Sequence, residues 1–387
     1  MTRKQFFILV VVLLVLGAAG AALVWQDDDA YRASGARIGA RLLPEFKIAD
    51  VAQVRLQDGK QQVTLVRKEK SWAVQERGGY PANFQEISDL SLKLLELKVT
   101  QTEQVAETLL PRLNLAEPAN KGDAKDPRRS EGAGTLVEFK DGAGKPLARL
   151  ILGKKVLKKD PLNPLPIAKD GVPAGRYVRI ADAKDTVVVV SDPLNNAEAG
   201  PGRWLDKLFF KVDRIKTLAV GPESAAPQWK IARSEEWGQW KFAAGGGDLN
   251  PSAAVTAVNK LGGLAFDDVV ADPKPEDAGK PLVVVAETFD NLTYTLKLAR
   301  SKTGEDYHLT FSVAGTPPRS RPPEKGEKGE QKERRDKEFA ESLLRLEARV
   351  ALEKVLSQWT YVVSAREVEP LLRERGDMVA RRPPPKK

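Results

Sequence analysis

The sequence predicts an α+β protein built from two tandem repeats, each an antiparallel sheet with one or two packed helices, behind an N-terminal transmembrane helix. Three observations predict this fold. An apolar leader opens the chain, a set of residues recurs farther along it in the same order, and short segments alternate apolar with polar residues. Most connections between these segments are too short for the crossover that parallel strands need, which favours antiparallel pairing.

The leader has the length and the flanks of a membrane anchor. Residues 6–24 carry no charge, and at 1.5 Å per residue they are just long enough to cross a hydrocarbon layer of about 30 Å. Arg3 and Lys4 precede the stretch, while Trp25 and three aspartates follow it. This asymmetry predicts a cytoplasmic N-terminus and a single pass through the bacterial inner membrane, with the rest of the chain in the periplasm.

A cleaved signal peptide is the alternative interpretation. The small residues of 17–22 offer cleavage positions after a short apolar core. The apolar stretch continues through Leu23 and Val24 beyond them, which favours an uncleaved anchor over residues 1–25 and a juxtamembrane linker over 26–39. Both interpretations place the remaining chain outside the cytoplasm.

The formal net charge is +9, but its location argues against nucleic acid as a partner. The excess lies in the leader, in the stretch 319–337 and in a basic, Pro-rich tail over 376–387, so that the folded remainder is nearly neutral. A nucleic-acid-binding protein concentrates its basic residues on a structured face. Both basic segments are interpreted as solvated chain, with weak contact to anionic lipid headgroups as the alternative.

An internal repeat sets the domain boundaries. Residues near position 46 recur near position 210 in the same order, and the interval between matching residues grows slowly along the chain, as small loop insertions would produce. The first copy is predicted over 40–205 and the second over 206–375. The matching residues are Phe46, Lys47, Ile48, Val51, Val54 and Leu56 with Phe210, Lys211, Val212, Ile215, Leu218 and Val220, then Trp72 with Trp240, Pro81 with Pro251, and Val189–Ser191 with Val362–Ser364.

Each copy is predicted to open with three short strands and a helix. In the first copy the helix starts at Pro81, after a Gly78–Gly79 break, and in the second Asn250 is the N-cap and Pro251 lies in the first turn. Apolar residues at three- and four-residue spacing form the buried face of each helix. The strand signals are Val54 with Leu56, Val63 with Leu65 and Trp72 with Val74, and in the second copy Leu218 with Val220, Trp229 with Ile231 and Trp240 with Phe242.

Both copies then return to strands. In the second copy a charged, Pro- and Gly-rich insertion over 316–336 interrupts them and is predicted to be disordered. An amphipathic helix follows the insertion and leads into the last strand, Thr360–Ser364. The apolar face of this helix consists of Phe339, Leu343, Leu346 and Val350.

The residues of common catalytic sites are scarce. The chain has no cysteine and one histidine, His308, which excludes disulfides, thiolate metal sites and histidine-rich centres. His308 alternates with apolar neighbours and therefore falls on the polar face of a strand. Gly245–Gly247 are not followed by the lysine of a P-loop and predict a turn before the helix. The chain is predicted to be no enzyme and to need no cofactor or metal; a carboxylate-dependent envelope hydrolase, with two carboxylates in one pocket, is the alternative.

The tryptophans divide into two groups. Trp72 and Trp240 are equivalent in the repeat, which predicts that they anchor equivalent cores. Trp229 and Trp237 lack clear partners in the first copy, and a groove for a ligand or partner is one interpretation of them. Packing in the core or at a sheet edge is the other.

Several of these features resemble a bacterial family known only as domain of unknown function 4340. They are the anchor, the Phe46–Val51 opening, the pattern around Ser71–Val74, the Gly-Gly-Tyr-Pro run at Gly78–Pro81 with its Leu-rich helix, and the Trp204–Lys207 run between the copies. The resemblance implies a periplasmic accessory role, because members look like companions of ABC-type export systems related to the auxiliary components of gliding motility. It names no catalytic residue.

The expectation is therefore a single-pass, membrane-anchored periplasmic interaction protein without catalysis. Its expected partners are the inner membrane, through residues 6–24, and a membrane protein such as a transporter subunit of an ABC-type or envelope-assembly system. The alternative function is a glycan- or lipid-binding module with an aromatic-lined cleft between the repeats.

Overall fold

The computed structural model divides the chain into two compact units, the first ending at Leu205 and the second beginning at Asp206. The predicted anchor, most of the linker 26–39 and residues 381–387 of the tail lie outside the described residues. Within the part described, no helix is both long enough and apolar enough to cross a membrane. The structure describes residues 38–69, 71–119, 131–158, 171–180, 186–274, 278–302, 304–323 and 326–380.

Among the described residues of unit 1, nine strands form one antiparallel sheet. They are β1 (Gln53–Gln57), β2 (Gln62–Arg67), β3 (Trp72–Val74), β4 (Tyr80–Pro81), β5 (Val99–Gln104), β6 (Thr135–Lys140), β7 (Pro146–Lys158), β8 (Val172–Ile180) and β9 (Thr186–Val190). Their order across the sheet is β4-β3-β2-β1-β6-β7-β8-β9-β5. The three strands predicted at the start of this copy are β1, β2 and β3.

Helix α1 (Phe84–Glu96) buries a stripe that includes Leu90 and Leu94. The prediction that it starts at Pro81 is wrong, because the chain is still extended there and pairs with β3. Asn83 is the N-cap instead, and its side chain accepts hydrogen bonds from the backbone N–H groups of Gln85 and Glu86. A proline fits the short outermost strand because it has no N–H to leave unpaired.

The sheet of unit 1 is covered on both faces. Val137 and Leu150 are buried on one face, and Leu136 and Ile151 are buried on the other, where the segment around the 3-10 helix Glu107–Leu113 packs over them. Because side chains alternate between faces along a strand, burial of consecutive residues means that two separate cores exist. The second core consists of Val105, Leu110, Leu115, Leu136, Ile151 and Val187.

We expect Gly153→Ala to destabilise unit 1 by about 1–3 kcal/mol through overpacking under this covering segment. A Cβ at Gly153 would lie 2.5 Å from the carbonyl oxygen of Leu113 and 2.8 Å from a methyl group of Leu115, so the segment must move off the sheet. Urea unfolding followed by circular dichroism measures the loss. Gly142→Ala is the matched control, since nothing lies within 4 Å of its Cβ position; equal midpoints for the two variants would contradict the expectation.

Unit 2 repeats this topology. Its strands, among the described residues, are β10 (Ile215–Pro222), β11 (Trp229–Ala232), β12 (Lys241–Phe242), β13 (Asp268–Val270), β14 (Leu282–Thr288), β15 (Leu292–Arg300), β16 (Asp306–Gly315) and β17 (Thr360–Ser364). Their order is β12-β11-β10-β14-β15-β16-β17-β13. When β4 is left out, this is the order of unit 1 strand for strand, so the sequence repeat is also a repeat of the fold.

Helix α2 (Pro251–Leu261) occupies the place of α1. Asn250 caps it through the backbone N–H groups of Ser252 and Ala253, and Pro251 is its first residue, both as predicted. The residue before each N-cap also bridges to the end of its own unit, Ala82 to Leu205 and Leu249 to Val379. The two copies therefore close in the same way.

The units differ most in the length of one connection, which joins β8 to β9 in unit 1 and β16 to β17 in unit 2. Residues 181–185 alone join β8 to β9, whereas residues 316–359 join β16 to β17 and contain the 28-residue helix α3 (Gly329–Leu356). Two short helices then follow β17, α4 (Ala365–Leu372) and α5 (Arg375–Met378).

Part of the insertion predicted to be disordered, 316–336, is helical. Helix α3 starts at Gly329, so its first two turns lie inside that stretch. Ion pairs one turn apart, Lys332 with Asp336 (2.6 Å) and Arg334 with Glu338 (3.7 Å), support these turns. The charges that suggested a solvated coil therefore stabilise a solvated helix.

Candidate functional site

The two tryptophans predicted to line a groove lie in opposite environments. Trp229 is 1% exposed in the core of unit 2, and its indole N–H donates to the carbonyl of Arg373 (2.8 Å). Trp237 is 92% exposed. They do not line a common groove, because a buried indole offers no surface to a ligand, and core packing describes Trp229.

The prediction that Trp72 and Trp240 anchor equivalent cores is wrong. Both indoles are only half-buried: Trp72 begins β3, and Trp240 directly precedes β12, so both lie near the end of a sheet. The guanidinium group of Arg233 lies over the Trp240 ring, 4.8 Å from its centre. Within the part of the chain that the structure describes, the fully buried tryptophans are Trp204, in unit 1, and Trp229.

His308 is half-buried on β16, between Ala299 of β15 and Val362 of β17. The described residues contain no group of three or more His, Asp or Glu side chains placed to hold a metal ion. Gly245–Gly247 form part of the turn that precedes α2, as predicted. Among the described residues, neither His308 nor the Gly245–Gly247 turn therefore forms part of a metal site.

The inserted helix α3 is the element that the duplicated fold does not explain, and it carries the candidate site. One of its faces is the amphipathic stripe that the sequence predicts: Phe339, Leu343 and Leu346 are half-buried, and Val350 is buried. Full burial is confined to the last two turns, which also include Glu353 and Leu356. Most of the helix is therefore held along one side.

A buried carboxylate holds the C-terminal end of α3, which we call the base of the helix. Glu353 is 1% exposed; it accepts hydrogen bonds from the Tyr294 hydroxyl (2.7 Å) and from the backbone N–H of Lys211 (3.1 Å). Arg349, one turn earlier, forms an ion pair with Asp213 (2.7 Å). Burial raises the pKa of Glu353, while the bonds to Tyr294 and Lys211 oppose the rise. Burial, together with the Glu353 carboxylate, also raises the pKa of Tyr294.

A small cleft of about 230 Å³ opens beside this base. Two carboxylates face it, as a carboxylate-dependent hydrolase would require, but each is engaged by an arginine: Asp213 by Arg349 and Asp290 by Arg214. Burial raises the pKa of Asp290, and Arg214 opposes that rise. Only the Arg349–Asp213 pair of these two involves the helix. A carboxylate that is already neutralised by a guanidinium group is a weak base, so neither carboxylate is poised for hydrolysis.

The opposite side of α3 carries a second apolar stripe, which the sequence analysis missed. Leu344 is 66% exposed, Leu352 43% and Val355 55%. Leu344, Ala348, Ala351 and Val355 follow a four-three-four spacing that places them in one row along the helix, and Leu352 lies beside this row, one turn after Ala348. The spacing could have been found in the sequence, but the row starts one residue after Leu343, which belongs to the more hydrophobic stripe on the other face. We call these five residues, Leu344, Ala348, Ala351, Leu352 and Val355, the outer stripe.

A family model described as Domain of unknown function (DUF4340) matches residues 72–281. The match runs from the start of β3 to the residue before β14 and so covers parts of both units. Helix α3 lies beyond it. No curated protein and no solved structure matches the chain.

Proposed function

The chain belongs to the DUF4340 family, and from this premise we propose that it is a single-pass, membrane-anchored periplasmic interaction protein that serves as a noncatalytic accessory to an ABC-type transport or envelope-assembly system. The observation that carries the proposal is the outer stripe of α3. The uncharged residues 6–24 supply the expected anchor.

The helix has the form of a docking element. At 1.5 Å per residue its 28 residues extend about 42 Å, far more than the hairpin connection needs. The stripe on its other face, Phe339, Leu343, Leu346 and Val350, already attaches the helix to unit 2. The outer stripe is therefore not needed to hold the helix in place. An apolar row in water is unfavourable, and full burial of each Leu or Val side chain gains about 1.5–3 kcal/mol. A helix of a membrane-protein partner, or a groove in that partner, is the surface that such a row fits.

Photo-crosslinking in intact membranes tests this function. A photoreactive amino acid placed at Leu344 or Val355 is expected to give one discrete adduct with a membrane protein, identified by mass spectrometry as a transporter or envelope-assembly subunit. The same amino acid at Glu338 is the control, because Glu338 is exposed on the same helix but lies off the outer stripe. Equal labelling from all three positions, or the lack of any adduct, would contradict the proposal.

A further inference from the structure

The two units differ at one end of their sheets. In unit 1, β4 lies beside β3 and closes the sheet, with Val74 opposite Tyr80 and Ala73 opposite Pro81. The carbonyl oxygen of Val74 accepts from the N–H of Gly79 (3.1 Å). The Tyr80 side chain is fully buried, so this strand contributes both backbone pairing and a ring to the core.

In unit 2 the described residues include no corresponding strand. Strand β12, the counterpart of β3, is the last strand of its sheet, and nothing in the described chain pairs with its outer edge. The bridged residues Ala82 and Leu249 are equivalent, and two positions before them stand Tyr80 in unit 1 and Gly247 in unit 2. A glycine therefore occupies the place of the buried tyrosine, with a left-handed φ of 105° that disfavours any side chain there.

A cleft of about 580 Å³ lies at this place. Phe242 of β12 and Trp240, two residues earlier, line one side of it, and Pro251 and Val255 of α2 also line it. The guanidinium group of Arg375 lies 4.4 Å from the centre of the Phe242 ring and donates to the carbonyl of Gly246 (2.9 Å). This arginine therefore ties α5 to the glycine loop beside the cleft.

We infer that the cleft and the outer edge of β12 bind an extended peptide segment of a partner protein, which pairs antiparallel with β12 and inserts an aromatic side chain, as β4 and Tyr80 do in unit 1. An unpaired edge strand presents a row of backbone donors and acceptors to a second chain. In such added-strand complexes the backbone bonds supply affinity and a side-chain pocket supplies specificity. In unit 1, β4 and Tyr80 meet both requirements: the strand supplies the backbone pairing and the tyrosine supplies the buried side chain.

The inference rests on the proposed interaction role, but it concerns a surface distinct from α3. Two surfaces on one unit allow a partner to be held by a helix contact and by a strand contact. Each contact has its own experiment, so the failure of one does not decide the other.

The test measures fluorescence anisotropy of a labelled peptide that copies residues 75–84, mixed with the detergent-solubilised full chain. We expect saturable binding that weakens at least about tenfold, or about 1.4 kcal/mol, when the tyrosine of the peptide is replaced by alanine, because the tyrosine would be a buried aromatic anchor. Val255→Trp and Gln239→Trp each place an indole in the cleft from an exposed position and are expected to weaken binding to the same extent. Thr256→Trp is the matched control, since Thr256 is an exposed neighbour on α2 outside the cleft.

Three results would overturn the inference. The first is that the peptide shows no saturable binding at millimolar concentration. The second is that the alanine peptide binds as tightly as the tyrosine peptide. The third is that the control variant loses peptide binding while the cleft variants keep it. Binding of an N-acetylglucosamine oligosaccharide, with no binding of the peptide, would assign the cleft to a glycan instead. The crosslink from Leu344 in the Val255→Trp chain is measured in parallel: its persistence shows that a lost peptide site leaves the proposed function of α3 standing.

Discussion

Replacing Trp229 by alanine is expected to lower the free energy of unfolding of unit 2 by about 3–5 kcal/mol, the range for removal of a large aromatic side chain from a core. The indole fills the space between β11 and the end of α4, and its N–H bond to the carbonyl of Arg373 ties the two together. The variant therefore leaves both a cavity and a carbonyl that has lost this hydrogen-bond donor. Urea unfolding followed by circular dichroism measures the effect as an earlier transition of unit 2.

Trp237→Ala is the matched control. The same residue type is deleted from the same unit, but from an exposed position, so the expected change is within about 0.5 kcal/mol. Similar losses for the two variants would show that Trp229 is not the core residue that its burial indicates. Tryptophan fluorescence of the two variants gives a second readout, because of these two residues it is the buried Trp229 whose emission comes from an apolar environment and shifts to the red on unfolding.

Glu353→Ala is expected to cost about 3–5 kcal/mol, because it removes one member of a buried polar network and leaves its partners uncompensated. The Tyr294 hydroxyl and the Lys211 N–H lose their acceptor, and Arg349 loses its carboxylate neighbour. The base of α3 should detach first. Hydrogen exchange of α3 should therefore accelerate more than exchange of β14 and β15, and uniform acceleration of the whole unit would contradict this order.

Glu353→Gln separates charge from hydrogen bonding. The amide can accept from Lys211 and donate to the Tyr294 oxygen, so the network persists without a buried charge. The raised pKa of Glu353 means that its stabilising contribution is fully present below the ordinary value of 4.5 and is lost as the pH rises through the raised folded value. The wild-type chain should therefore lose stability relative to the glutamine variant as the pH rises, and parallel pH profiles for the two chains would contradict a raised pKa.

Where the two copies agree, the sequence was informative. Alternation at Val54 and Leu56 predicted β1, and Asn250 with Pro251 predicted the start of α2. These signals are local, because an alternating face or an N-cap depends on residues within one turn or one strand. The repeat extended the same local signals to the second copy and placed the boundary at Leu205, where the compact units divide.

The first copy shows where a local signal misleads. Pro81 has the same favourable chemistry for a helix start as Pro251, yet it lies in β4, because pairing with β3 and burial of Tyr80 compete with the helix signal. The charges of 329–336 suggested solvated coil, whereas their spacing supports helix. In both cases composition pointed one way, and the partners available in the fold decided the outcome.

The sequence by itself determined the duplicated α+β plan, the strands that begin each copy, the capped helix of the second and the inward stripe of α3, because each depends on the periodicity of neighbouring residues. Only the tertiary structure decided which tryptophan is buried, that Glu353 meets Tyr294, and that Gly247 leaves open the place of Tyr80. Those features depend on contacts between segments far apart in the chain, and no local pattern specifies which distant segments meet.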